Sequence, residues 1–188
     1  PGAAGVSSVN PPFPSIERTF GMIERRTILA AGAAVMAFSS ADPAVAQTPN
    51  KVVGTWRIMS ATVEVNGTTS LPYGPEPRGM LVFTSDMHFV EFLHDPRIPR
   101  FKSNERGGGT DEENRAVMAG TLALYGRYTV DGDGNFSGNT VEGSSFPNWI
   151  GDVRTTNDLT MRVEGDRMIE NFQRPGGARV TIVFERVR

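Results

Sequence analysis

Gly126-Arg127-Tyr128-Thr129-Val130-Asp131-Gly132-Asp133-Gly134-Asn135-Phe136-Ser137-Gly138-Asn139-Thr140-Val141-Glu142 is the stretch whose reading decides the fold. Counted from Asp131, oxygen-bearing side chains fall at positions 1, 3, 5, 7 and 9, and Glu142 takes position 12, the spacing of an EF-hand calcium loop. Position 6 of such a loop needs glycine for its sharp bend, and this chain has Phe136 there. The flanks are strand-like rather than helical. The stretch therefore reads as two strands, Gly126 to Val130 and Asn135 to Glu142, joined by the turn Asp131-Gly132-Asp133-Gly134, and no metal site is expected.

Working outward, the same grammar repeats. Lys51 to Val65 alternates unevenly but is β-rich, and it runs into Asn66-Gly67, a strong hairpin signal because both residues tolerate positive φ. Arg78 to Thr84 and His88 to His94 flank Ser85-Asp86-Met87. Val153 to Val163 meets Arg167 to Gln173 across Glu164-Gly165-Asp166, and Ala178 to Val187 closes the series. Roughly eight short strands in consecutive hairpins predict an all-β, antiparallel sandwich or barrel. One segment interrupts them. Thr110-Asp111-Glu112-Glu113 has the form of a capping box and predicts a helix to about Tyr125. Ahead of it, Asp95-Pro96-Arg97-Ile98-Pro99-Arg100-Phe101 leads to Gly107-Gly108-Gly109. A stiff arm between prolines, followed by a glycine hinge, predicts a lid over residues 95–110 whose Arg100 and Phe101 engage a ligand.

Composition limits what the motifs can mean. The 188 residues are 38% hydrophobic and 21% charged, enough for one domain with a real core. A formal net charge of −2 gives no cationic surface for nucleic acid. The absence of cysteine removes disulfides, thiolate metal sites and cysteine nucleophiles together. Met22-Ile23-Glu24-Arg25-Arg26, a small-residue apolar run through Phe38, and Ala44-Val45-Ala46 before Gln47 have the layout of a signal peptide over residues 22–46. The Arg25-Arg26 pair points to twin-arginine export, although Glu24 replaces the usual serine, so the general secretory route stays open. Residues 1–21 are expected to be a disordered upstream tail. Residues 47–188 form the mature domain, periplasmic or secreted and without a transmembrane segment.

Gly54-Thr55-Trp56 resembles the G-x-W that opens lipocalin-type barrels. Pro72-Tyr73-Gly74-Pro75, Arg78-Gly79-Met80-Leu81, Pro99-Arg100-Phe101, Tyr125-Gly126-Arg127-Tyr128-Thr129-Val130-Asp131 and Val141-Glu142-Gly143-Ser144-Ser145-Phe146-Pro147-Asn148-Trp149-Ile150-Gly151 are similar, in that order, to the bacterial and fungal lipocalin-like domain family. The resemblance covers nearly all of residues 51–188. It implies a lipocalin-like barrel with one short helix and a long lid loop, and it carries no fixed catalytic set.

An eight-stranded barrel can be filled by its own side chains or can hold one small ligand. Phe83, Phe92, Tyr128, Phe172 and Phe184 are the lining candidates, with Phe146 and Trp149 near the mouth, and Trp56 is assigned to the closed end. Arg78, Arg100, Tyr125, Arg127, Tyr128 and Glu142 are the polar groups that could orient a ligand. Arg100 and Arg127 could each clamp a carboxylate, while the competing reading of Arg127 is a buried ion pair with Glu142. His88 and His94 sit on one strand face about 20 Å apart, too far to share a metal, and are read as surface or mouth residues. The chain holds no G-x-S-x-G, H-E-x-x-H, P-loop or G-x-G-x-x-G, and no cofactor is expected. Two functions remain open. One is a binding barrel for a small apolar or amphipathic ligand; the other is a cofactor-independent cyclase or isomerase using the same cavity.

Overall fold

The computed structural model describes residues 49–188. The upstream tail, signal peptide and cleavage site expected at residues 1–46 lie outside them. In chain order the elements are β1 (Gly54–Val65), β2 (Thr68–Ser70), β3 (Arg78–Phe83), β4 (His88–His94), α1 (Asp111–Gly120), β5 (Thr121–Val130), β6 (Phe136–Ser144), β7 (Val153–Thr155), β8 (Leu159–Glu164), β9 (Arg167–Gln173) and β10 (Arg179–Arg186). A 3-10 turn at Pro147–Trp149 precedes β7. The strands form one antiparallel sheet in the order β7-β6-β5-β4-β3-β1-β10-β9-β8, with β2 hanging on the far end of β1. The two edge strands, β7 and β8, are neighbours in the chain, so the sheet curls into a nearly closed barrel.

The expected hairpins form where the turn chemistry lies. Asn66 (φ 49°) and Gly67 (φ 77°) both take positive φ at the β1–β2 turn. In the 131–135 turn Asp131 Oδ1 accepts N–H bonds from Asp133 and Asn135, each at 2.9 Å, which closes the turn between β5 and β6. The uneven alternation of β1 is a bulge: its register with β10 slips between Ile58 and Ser60, leaving Met59 and Ser60 both exposed.

Two expectations need correcting. The described residues form ten strands rather than eight, because β2 is a separate short strand and Val153 to Val163 breaks in two. At the break Asp158 accepts from Thr155 N and Oγ1, both at 3.2 Å, and its own N–H donates to Thr155 O at 3.0 Å, a side-chain-stabilised turn that ends the ladder. The helix stops at Gly120, not Tyr125. Leu122 and Leu124 then enter the core with a period of two, and Thr121 to Arg127 pair with His94 to His88 on β4.

The interior divides into two zones. The end bearing the 84–87 and 131–135 turns is packed solid with Trp56, Phe83, Phe89, Tyr128, Phe136 and Phe184. Phe83 sits 4.7 Å from the Tyr128 ring, edge-on. Trp56 is fully buried, and its Nε1 donates to Val52 O at 2.8 Å. Arg186 lies 4.0 Å above the indole and donates to Val53 O and Lys51 O. Gly54 (φ 133°) makes this possible, because a Cβ there would come within 2.6 Å of Arg186 Nη1. The closed end is thus where the Gly54-Thr55-Trp56 motif sits.

Candidate functional site

Above the aromatic floor the strand alternation brings charge inward. On β4, Phe89, Glu91 and Leu93 point in; on β9, Met168, Glu170 and Phe172 do; on β7, Arg154 does. Among the described residues, Glu91, Glu170, Arg154 and Asn139 of β6 are the buried polar side chains of the core. β4 and β9 have β3, β1 and β10 between them in the sheet, so the two carboxyls face each other across the lumen. Glu91 Oε1, Glu170 Oε2, Asn139 Oδ1 and Arg154 Nε have no hydrogen-bond partner among the described residues, and Arg154 Nη2 has only a long 3.5 Å contact with Asp152 Oδ2. Buried polar atoms are nearly always satisfied, so this layer is a set of unused donors and acceptors aimed into the barrel.

Electrostatics follow from that burial. Desolvation pushes the Glu91 carboxyl well above the ordinary range, the neighbouring Glu170 adds to the effect, and Arg154 opposes it. Glu170 is pushed up to about 7 by burial, against the pull of Arg154 and Arg174. Tyr73, buried in the β2–β3 loop, has its hydroxyl held protonated by desolvation and by Glu91. Burial lowers the Arg154 pKa, and Asp152, 3.5 Å away, partly restores it.

A mouth adjoins this layer through Tyr73 and Arg174, whose electrostatics are coupled to Glu91 and Glu170. A cavity of about 260 Å³ is lined by Pro72, Tyr73, Met118, Leu122, Phe146 and Trp149, with Arg174 at its edge. Trp149 is the hub: Phe146 meets it edge-on at 5.4 Å and Phe172 at 6.2 Å, while Arg154 and Arg174 lie 4.9 and 5.4 Å from its ring centre. Arg154 also lies 4.6 Å from the Phe172 ring. The tight turn at Pro147–Trp149, closed by Trp149 N donating to Phe146 O, sets the indole over the opening.

The residues named from sequence scatter. Phe146, Trp149 and Phe172 come together at the mouth. Phe83, Tyr128 and Phe184 belong to the packed floor; the Tyr128 hydroxyl donates to Thr84 O and accepts from Asn50 Nδ2, which ties it to the closed end. Phe92, expected to line the lumen, is corrected to the outer face, where it is 47% exposed beside Met80, Arg78 and His94 in an open groove. The cause is parity: in His88 to His94 the odd-numbered residues face in. Tyr125, Arg127 and Glu142 are also on the outer wall. Arg127 does pair with Glu142 at 3.1 Å, but the pair is exposed rather than buried. Arg100 is exposed and lines no part of the mouth. Phe101 packs on Gly109, where a Cβ would meet its ring at 2.6 Å. The part of the 95–120 excursion that reaches the opening is instead the end of α1, through Met118 and Ala119.

Sequence reasoning missed Glu91, Glu170, Arg154 and Tyr73. The available signal was a glutamate at an inward position between two large apolar residues, Phe89-Val90-Glu91-Phe92-Leu93 and Met168-Ile169-Glu170-Asn171-Phe172.

Comparison with known proteins agrees with this architecture. A family described as "Lipocalin-like domain" matches residues 53–177. Over 77 residues the chain is 38% identical to a protein of Aspergillus oryzae named as a 4'-hydroxy-3'-methoxypropiophenone carrier protein, a match covering 38% of this chain and 67% of that relative.

Proposed function

The chain belongs to the lipocalin-like domain family, and from that premise we propose that it is an exported carrier which holds a small, mostly apolar aromatic molecule in the mouth of its barrel. One observation carries the reading: aromatic walls at Phe146, Trp149 and Phe172 adjoin buried polar atoms that no other described residue satisfies. Apolar walls with a few fixed polar groups are what a selective small-molecule site needs. The named ligand of the Aspergillus oryzae relative, an aryl ketone, has the size and character such a mouth accommodates.

Titration with 4'-hydroxy-3'-methoxypropiophenone by calorimetry tests the reading, beside native mass spectrometry of protein purified from its own cells. Saturable one-to-one binding, abolished by Trp149→Ala with the thermal melt retained, is the expected result. Absence of both a copurified small molecule and any measurable binding overturns it. Export is tested separately: protein recovered from the cell envelope should begin at Gln47, and an intact Met22 in cytoplasmic protein refutes cleavage.

A second reading rests on Glu170 alone. A buried carboxyl pushed up to about 7 is matched to general acid–base work at neutral pH, which suits isomerisation or cyclisation of the bound molecule. Chemical change of a bound ligand, lost in Glu170→Gln while binding persists, would favour the enzyme over the carrier.

A further inference from the structure

Resting on the carrier reading, we propose that the layer formed by Glu170, Arg154 and Glu91 is a head-group site for a neutral hydroxyl on a planar aromatic ligand, which donates its proton to Glu170 and accepts from Arg154.

The orphan atoms are of both kinds. Glu170 Oε2 and Glu91 Oε1 can accept, and Arg154 Nε, whose neighbour Nη2 makes only a 3.5 Å contact with Asp152, can only donate. Arg154 is 7% exposed and both glutamates are similarly buried, so bulk solvent does not reach them. A ligand that quiets this layer must therefore donate and accept from one small group. A cationic head would meet Arg154 and Arg174. A carboxylate head would add a negative charge beside a pair in which Glu170 already opposes the ionisation of Glu91. A wholly apolar head would leave every atom unpaired, at a large cost in desolvation for each buried group. A hydroxyl does both jobs and carries no charge.

The body of the ligand is set by the walls of the mouth. Phe146 and Trp149 wall the cavity edge-on to each other, and Trp149 is backed by Phe172 and Arg154, so a flat ring in the cavity lies against aromatic edges whose far side carries a guanidinium. The cavity of about 260 Å³ leaves room for one benzenoid ring with short substituents.

The proposal makes binding depend on pH. The groups facing Glu170 are Arg154 from β7, Arg174 from the turn after β9, Glu91 from β4 and Tyr73 from the β2–β3 loop. Its ladder neighbours, Ile182 on β10 and Met161 on β8, do not titrate. Glu170 accepts the hydroxyl proton best when it is ionised, so affinity should rise as pH passes through about 7.

The experiment uses two probes, 4'-hydroxyacetophenone and its O-methyl ether, titrated calorimetrically into the full chain between pH 5.5 and 8. The hydroxyl probe should bind at least about tenfold more tightly than the ether, because a site built to pair a hydroxyl discriminates strongly against an analogue without it. The preference should vanish in Glu170→Met, and Glu170→Gln should flatten the pH profile while keeping part of the preference. Should Glu170→Met fail to fold, the Glu170→Gln profile decides. Equal binding of both probes by the wild type, or a preference that survives in Glu170→Met, overturns the head-group assignment and leaves the carrier standing. Binding of neither probe overturns both.

Discussion

Trp56 concentrates several interactions in one side chain: full burial, an Nε1 bond to Val52 O, and the stacked Arg186 guanidinium that itself ties down Val53 and Lys51. Trp56→Ala should therefore cost about 3–5 kcal/mol in urea unfolding, the usual range for deleting a large buried aromatic; a loss below about 1 kcal/mol would place the indole outside the core. Glu170 acts on stability in the opposite sense. Unfolded, it ionises near 4.5; folded, it holds its proton to about 7. Between those values the native state binds the extra proton, so stability falls as pH rises through the window. The whole decline is on the order of 3 kcal/mol, since each tenfold change in proton affinity is worth about 1.4 kcal/mol. Asp95, held down to about 2 by Arg97, and Glu113, lowered by the Thr110 and Lys102 amides, work the other way. Their contribution is present above their unfolded values and is lost on acidification. Urea midpoints should thus be highest near pH 5, and since Glu91 is raised as well, Glu170→Gln should make the decline between pH 5 and 7 shallower without abolishing it; an unchanged decline would show that Glu170 does not titrate there. Trp56 was legible in the sequence because a tryptophan after G-x has few other places to go. The glutamates were not, because burying a carboxyl runs against every composition rule, and the parity that turns Glu91 inward is fixed only by pairing with β3 and β5.

At the scale of elements, turn chemistry proved readable and element length did not. Asn66-Gly67, Asp131 to Gly134 and Glu164 to Asp166 each sit at a hairpin, since local backbone demands pick those residues. Local pattern carries α1 five residues too far, to Tyr125 instead of Gly120, because Thr121-Leu122-Ala123-Leu124-Tyr125 has no stop signal of its own. What ends α1 is tertiary: Gly120 packs against Ile98, Asp95 N donates to Gly120 O at 2.8 Å, and the β4 edge captures Thr121. Its start is local, with the Thr110 hydroxyl accepting from Glu113 N and Glu113 accepting from the Thr110 and Lys102 amides. Thr110→Ala should cost about 1 kcal/mol and speed amide exchange across 111–120 while leaving exchange in β4 and β5 unchanged. Because Met118 and Ala119 wall the mouth, ligand should also leave this variant faster. Unaltered exchange at Glu113 and Asn114 would mean that the cap does not hold the helix.

On the scale of the whole molecule, the barrel depends on its last strand. β10 pairs with β1 along Trp56 to Glu64 and with β9 along Arg167 to Gln173, joining the first and last hairpins of the sheet. Yet the family match ends at residue 177, before β10 begins. Two outcomes are therefore distinguishable for a chain terminated after Gly177. If residues 53–177 were a self-sufficient domain, the truncated chain would still melt cooperatively. The structure predicts otherwise. Removing β10 takes away Val180, Ile182 and Phe184, all nearly or fully buried, and with them Arg186 from above Trp56. At about 2–5 kcal/mol for each large apolar side chain, the loss exceeds much of the roughly 5–15 kcal/mol that holds a typical domain folded. It also leaves β1 and β9 as long unpaired edges, which favour association over folding. The truncated chain should lack near-ultraviolet circular dichroism, bind a hydrophobic dye and aggregate at micromolar concentration. A monomer melting cooperatively within a few degrees of the full chain would show that β10 seals a barrel already able to stand without it.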